Sequence, residues 1–304
     1  MTWILQEEIP EGVGIFIDDG GIKGPRSLYS QETLPENLSI RRFICEYAIT
    51  LEKVLFRIEE EGLTISGSKF SCCVPALDIV GHVVSFKGRK ISKQKIKKIQ
   101  NWPTPLNKKE IRGFLGLCPY VRMFIENFSQ VASPLRMLTR EDVDWDWDQK
   151  FEEAFHKLRG IVGEEITLKN LDYDKGAGRT NLAVDSSYIA AGAVLNQEDK
   201  EGKDRPVLYE SITFSKLESK YSKPKLELCG VARILNKLQK ILWGQHFELQ
   251  VDSKGLIEMI NTPFLPNAPM TRWVALIQLF SFGLVQKPGK TFAMPDGLSR
   301  RPRN

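Results

Sequence analysis

Cysteine and histidine are scarce in this chain of 304 residues, which has five of the first and three of the second. Cys45, Cys72, Cys73, Cys118 and Cys229 are odd in number and show no CxxC spacing, so the sequence suggests neither a disulfide framework nor a zinc site. A reducing interior is the default. His82, His156 and His246 lie far apart and beside no cysteine cluster or evident nucleophile, and each reads as structural or solvated. Long hydrophobic runs are missing as well: the apolar stretches fall well short of the roughly 18 residues that a membrane helix needs. Residues Met1 to Glu8 show no basic segment leading into an apolar core. The expectation is a protein with no membrane partner, located inside the cell in cytoplasm or nucleus. There is no internal repeat and no low-complexity tract. Net charge is only +5, and 42% hydrophobic residues make the chain globular, long enough for two domains or several subdomains with cores of their own.

Against this background, four carboxylates in the last third stand out. Asp185 closes the apolar run Asn181–Asp185, which reads as a strand, and Ser186 to Leu195 continues with the small and β-branched residues of a hairpin. Glu227 lies on a predicted helix from about Lys223 to Leu242, where it heads a stripe formed by Gly230, Ile234, Leu238 and Ile241. Asp252 follows the alternating strand Phe247–Val251 and precedes the helical run Gly255–Ile260. Asp296 follows Pro295 and opens Gly297–Arg300, a plausible helix N-terminus. Taken singly, each is one of 38 acids that would ordinarily be solvated. As a set on strand, helix, strand and helix they are suited to binding metal ions, because an unpaired buried carboxylate is costly and carboxylates are hard oxygen ligands.

The charge is unevenly placed. From Lys87 to Arg112 ten basic residues face the single acid Glu110. Lys93, Lys95, Lys97, Lys98, Lys108, Lys109 and Arg112 form either a solvated helix face or a track for phosphates, with salt-dependent binding in the second case. Trp102, before Pro103 and Pro105, either stacks on a base or anchors a turn, and the prolines favour the turn. A second acidic motif, Phe16-Ile17-Asp18-Asp19, follows the apolar Val13 and Ile15 and precedes Gly20-Gly21, so it reads as a hairpin. Adjacent acids at such a point are an ordinary polar turn or part of a metal site.

The ordered acids and their flanks resemble the ribonuclease H domain of retroelement reverse transcriptases. Val184-Asp185-Ser186-Ser187 with Gly192-Ala193-Val194-Leu195 looks like that family's Asp-bearing hairpin. Tyr221-Ser222 with Lys225-Leu226-Glu227-Leu228 looks like the start of its Glu-bearing helix, and Pro295-Asp296-Gly297-Leu298-Ser299-Arg300 like its terminal segment. Upstream, Phe16–Asp19 is similar to the aromatic-x-Asp-Asp motif of the polymerase. Leu63–Phe70 looks like a Lys-bearing strand after a helix, and Ile79–Ser85 with Gly88 like the primer-grip hairpin. Ile99–Pro105, Glu110–Leu117 and Phe124–Ser129 with Pro134-Leu135 look like the thumb. The order is that of a gypsy-type LTR-retrotransposon (Metaviridae-like) polyprotein and covers about Ile15 to Arg301. Gly20-Gly21 after the Asp pair and Phe86-Lys87-Gly88 at the primer grip depart from it.

The resemblance implies an α/β (α+β) chain: a truncated reverse-transcriptase palm in 1–90, a helical thumb and connector in 91–165, and a ribonuclease H-like domain with a mixed five-stranded sheet in 166–304. A helix over about Arg42 to Glu61, with Ile44, Tyr47, Ala48, Leu51, Leu55 and Ile58 on its apolar stripe, is expected to cover the palm sheet. A thumb helix is expected to begin near Asn107, capped with the help of Glu110. In the family a further catalytic Asp lies upstream of the Asp-Asp motif, so Asp18 and Asp19 are expected to be a remnant polymerase metal site without polymerase activity. The ribonuclease H set implies two Mg²⁺ ions, with Mn²⁺ as a substitute, about 3.5–4 Å apart. By the same resemblance Asp185 bridges both ions, Glu227 and Asp252 hold the nucleophile side, and Asp296 the leaving-group side. The implied activity is metal-dependent endonucleolytic hydrolysis of the RNA strand of RNA·DNA hybrids. The implied protein partners are the rest of the polyprotein or a second reverse transcriptase chain. A non-catalytic nucleic-acid-binding remnant and a purely structural subunit are the rivals, and the four intact acids favour the enzyme.

Overall fold

The computed structural model describes residues 3–9, 12–25, 27–126, 128–161, 166–262 and 264–287. The chain divides into two compact units, Met1–Phe86 and Lys87–Asn304.

In the first unit, β1 (Val13–Phe16) and β2 (Asp19–Ile22) pair antiparallel, with Phe16 opposite Asp19. The two-residue turn holds Ile17 at φ 58°, a left-handed conformation that is costly for a β-branched side chain. Two further strands, β3 (Thr33–Leu34) and β4 (Asn37–Arg41), lead into helix α1 (Arg42–Glu60). The buried face of α1 is narrower than its sequence stripe suggests. Val54 and Ile58 enter a small core with Leu5 and Val13, whereas Ile44 and Leu55 are exposed. The reason is that this core consists of one helix, one short hairpin and the segment around Leu5, so only the C-terminal half of α1 finds an apolar partner. The hairpin expected at Ile79–Ser85 is present as β5 (Ala76–Ile79) and β6 (His82–Ser85). Its turn, Val80-Gly81, has both φ values positive, as a two-residue hairpin loop requires. The strand expected in Leu63–Phe70 is not formed. The amides of Lys69 and Phe70 instead donate to the Ser66 carbonyl, closing a turn around Gly67.

The second unit opens with β7 (Gly88–Ile91) and helix α2 (Lys93–Gln100), whose N-cap Ser92 accepts a hydrogen bond from the Lys95 amide at 3.4 Å. Helix α3 (Lys108–Leu117) starts at the expected N-cap, Asn107. Asn107 Oδ1 accepts from the Glu110 amide at 3.0 Å, and the Glu110 carboxylate reaches back to the Leu106 amide at 2.8 Å. Helices α4 (Phe128–Leu138) and α5 (Gln149–Ile161) follow. Trp102 packs against Phe114, with ring centroids 6.2 Å apart, at the margin of the core built by these helices.

Then come β8 (Thr180–Ser186), β9 (Ala190–Glu198), β10 (Asp204–Thr213), α6 (Lys223–Leu242), β11 (His246–Val251), α7 (Lys254–Ile260), α8 (Ala268–Ile277) and β12 (Ser281–Gln286). The five strands form one sheet in the order β10-β9-β8-β11-β12. The first three are antiparallel, and β8, β11 and β12 run parallel, so the sheet is mixed as expected. Alternation along the strands feeds two cores. Leu182, Val184, Leu249 and Val251 enter the core formed with α6, α7 and α8. Ala183, Val194 and Tyr209 join a second core built by α2 to α5, with Phe114, Phe124, Phe128 and Phe155 at its centre. The helices preceding the sheet are therefore packed on it. Polar ties reinforce that packing: Arg122 bonds Glu210 at 2.5 Å and the Ser211 carbonyl, and the Ser129 amide donates to Ser211 Oγ at 3.0 Å.

Candidate active site

Asp185 is the penultimate residue of β8 and Asp252 follows the last residue of β11. These strands run parallel, with Glu248 opposite Asn181, Leu249 opposite Leu182 and Gln250 opposite Ala183. Continuing that register sets Asp252 across from Asp185. Both acids thus stand at the C-terminal ends of neighbouring parallel strands, the edge where open α/β sheets place their ligands. On the other side Asp185 is paired with Gly192, which has no side chain to crowd it. Asp185 is only 3% exposed, while Asp252 is half-buried. The backbone of Asp252 is pinned: its carbonyl accepts from Gln286 Nε2 at 3.3 Å, and the next residue, Ser253, caps α7 through the Leu256 amide.

Glu227 sits in the second turn of α6 and is buried. What brings it to the strand ends is the absence of a side chain at Gly230. A Cβ there would lie 2.0 Å from Ser186 Oγ and 3.0 Å from Ala191 Cβ, so helix and sheet touch at this point. Gly230→Ala is expected to lower stability by about 1–2 kcal/mol, overpacking of ~1–3 being partly offset by alanine's better helix propensity of up to ~1. Urea unfolding checks this, and an unchanged or higher midpoint would show that α6 shifts freely on the sheet.

Glu227 has a local counter-ion in Lys223, one turn earlier, with Nζ 3.2 Å from Oε1. The same ammonium donates to the Ser186 carbonyl at 2.6 Å. Sequence reasoning passed over Lys223, although its spacing of four residues from a buried acid on one helix is a readable signal. Alternation assigns Asp185 and Asp252 to the sheet face that carries Ala183, away from α6. A site that includes Glu227 is therefore built around the end of the sheet. Among the described residues no three His, Cys, Asp or Glu side chains are grouped closely enough to hold a metal. Glu227 is drawn onto Lys223, and Asp296, with its whole motif, lies outside the described residues. The donor set itself fits hard divalent cations: two buried carboxylates and a third in register at a strand end.

Other candidate groups are elsewhere. Asp18 and Asp19 are exposed at the β1–β2 turn. The buried thiols are poor nucleophiles, since desolvation pushes Cys118 up to about 12 and Cys229 up to about 11. His156 bonds Glu152 at 2.7 Å and His246 bonds Ser281 at 2.9 Å, both local roles.

The basic residues sort into two groups. Lys108 and Arg112 donate to the Arg140 and Thr139 carbonyls at 2.9 and 2.7 Å, closing the end of α4, and Lys95 lies 4.4 Å above the Tyr120 ring. Lys93, Lys97, Lys98 and Lys109 are exposed. On α2 the first three surround the outward face opposite the buried Ile99.

A five-stranded mixed sheet with an acid at each of two adjacent parallel strand ends and a third on the packed helix is the ribonuclease H-like architecture. Residues 177–280 match the RNase H-like domain found in reverse transcriptase. The Tf2-3 and Tf2-4 transposon polyproteins of Schizosaccharomyces pombe (strain 972 / ATCC 24843) are each 30% identical over 258 residues, or 84% of this chain and 19% of theirs. The chain thus spans about a fifth of the length of these relatives. A foamy viral protease-reverse transcriptase solved with an RNA/DNA hybrid superposes with a TM-score of 0.71 at 23% identity, over all of this chain and 38% of that one. The dRH form solved with double-stranded DNA gives the same TM-score at 21% identity, over 94% and 48%. Residues 177–280 thus form an RNase H-like domain of the kind found in reverse transcriptase, and the chain is homologous to part of the Tf2 retrotransposon polyproteins. Among its described residues no helix is long and apolar enough to cross a membrane.

Proposed function

We propose that this chain hydrolyses the RNA strand of RNA·DNA hybrids at the C-terminal end of β8 and β11. The observation that supports the reading is the parallel β8–β11 register, which, continued two residues past Ala183 and Gln250, brings Asp185 and Asp252 to the same end of the sheet, where α6 bears Glu227. Asp185, Glu227, Asp252 and, from the segment outside the described residues, Asp296 would hold two Mg²⁺ ions, or Mn²⁺ in their place. When bound, the ions would supply an activated water and neutralise charge on the transferred phosphoryl group and the leaving oxygen. The chain's own residues do the positioning. The sheet edge fixes the separation of the two aspartates, Gly230 sets the approach of Glu227, and the exposed lysines of α2 would track the phosphate backbone. The foamy viral relative solved with a hybrid supports the choice of substrate.

In this reading 1–90 is palm-derived, 91–165 is thumb and connector, and 166–304 is the nuclease. The protein acts inside the cell, where hybrids form, alongside the rest of a polyprotein or a second reverse transcriptase chain. The test is cleavage of an end-labelled RNA·DNA hybrid by the purified chain. Internal cuts in the RNA that require Mg²⁺ and stop in excess EDTA are expected. Cleavage undiminished by EDTA would refute the metal site. Tight hybrid binding with no cleavage would leave the non-catalytic remnant as the correct reading.

A further inference from the structure

We propose that the Lys223 ammonium is a tethered monovalent cation that competes with a divalent ion for Glu227, and so weakens the site's affinity for metal. The inference rests on the metal-dependent reading above.

A buried carboxylate needs a counter-charge, and Glu227, with a side chain 8% exposed, obtains it from its own helix. The ammonium lies between a carboxylate oxygen at 3.2 Å and the Ser186 carbonyl oxygen at 2.6 Å, the latter on the residue after Asp185. That is an all-oxygen environment of the kind a hard divalent cation takes. Yet the lysine is not locked in. Its side chain is 41% exposed, so the four-carbon stem can swing the charge into solvent and regain hydration. Pro224, next in sequence, restricts the backbone of the first turn, so the motion is confined to the side chain. The ammonium leaves as an intact cation, and the exchange releases no proton from lysine.

The experiment is calorimetric titration of the full chain with Mn²⁺ and with Mg²⁺, without nucleic acid, for the wild type, Lys223→Gln, Lys225→Gln and Asp185→Asn. Lys225 controls for net charge, because its ammonium is engaged over the Tyr221 ring, 3.8 Å from the centroid. Lys223→Gln is expected to bind metal about fivefold more tightly, the scale of removing one partly exposed competing ion pair. Lys225→Gln should stay within about twofold of the wild type on the same scale. Thermal melts give a second readout: Lys223→Gln should melt lower than the wild type in EDTA and gain more from added Mg²⁺. Unchanged or weaker metal binding by Lys223→Gln, with binding abolished in Asp185→Asn, would overturn this inference and leave the proposed nuclease site standing. No metal binding by the wild type would overturn both.

Discussion

Asp185→Asn is expected to abolish hybrid cleavage, with a loss of at least about 10³-fold, equivalent to ~4 kcal/mol of transition-state stabilisation at a metal-assisted phosphoryl-transfer site. The substitution is nearly isosteric, so it changes charge and leaves packing in place. Asp185 is 3% exposed, so its charge is held largely away from water. Replacing a buried carboxylate with a neutral amide removes the cost of holding its charge away from water and also alters the interaction Asp185 makes, so melting in EDTA should stay close to that of the wild type. Lost cleavage with retained stability would identify a functional acid. Full cleavage by Asp185→Asn would mean that the site has been placed on the wrong strand end.

The individual pieces of that site were legible in the sequence for local reasons. Asn181–Asp185 reads as a strand because its apolar residues are flanked by turn-forming ones, and the helix bearing Glu227 has a full apolar stripe that the structure buries from Leu226 to Leu242. The N-cap at Asn107, with Glu110 three residues on, was legible because both partners lie within one turn. The juxtaposition of Asp185 and Asp252 was not readable locally, since it depends on parallel pairing between β8 and β11 across an intervening hairpin and helix. Only the family resemblance supplied it. Also out of reach was the use of both sheet faces, because Ala183 and Tyr209 look like generic strand residues until α4 and α5 are seen against them. Two readings in the first unit failed for a common reason. The stripe on α1 and the segment Leu63–Phe70 have suitable residues, but among the described residues neither has a full apolar partner layer in that unit. Periodicity states which face is apolar and says nothing about whether a partner covers it.

Replacing Lys93, Lys97 and Lys98 together with Ala is expected to weaken hybrid binding at low salt and to flatten the dependence of log affinity on log salt by about 2 to 3 units, roughly 0.7–0.9 for each phosphate no longer neutralised. The structure selects these three. Lys95 is engaged over Tyr120, and Lys108 and Arg112 hold the end of α4, so replacing any of those would mix stability with binding. Lys93, Lys97 and Lys98 are exposed on α2, and that helix packs through the buried Ile99 and the partly buried Ile96, so the triple variant should stay within about 1 kcal/mol of the wild type in stability. Helix formation itself should not suffer, because alanine has the highest helix propensity. Calorimetric affinity for Mg²⁺ should be retained, which separates a defect in holding the nucleic acid from a defect in the carboxylate site. A triple variant that binds the hybrid with the wild-type slope would show that these lysines are a solvated helix face, and that the phosphates must be held by another surface of the chain.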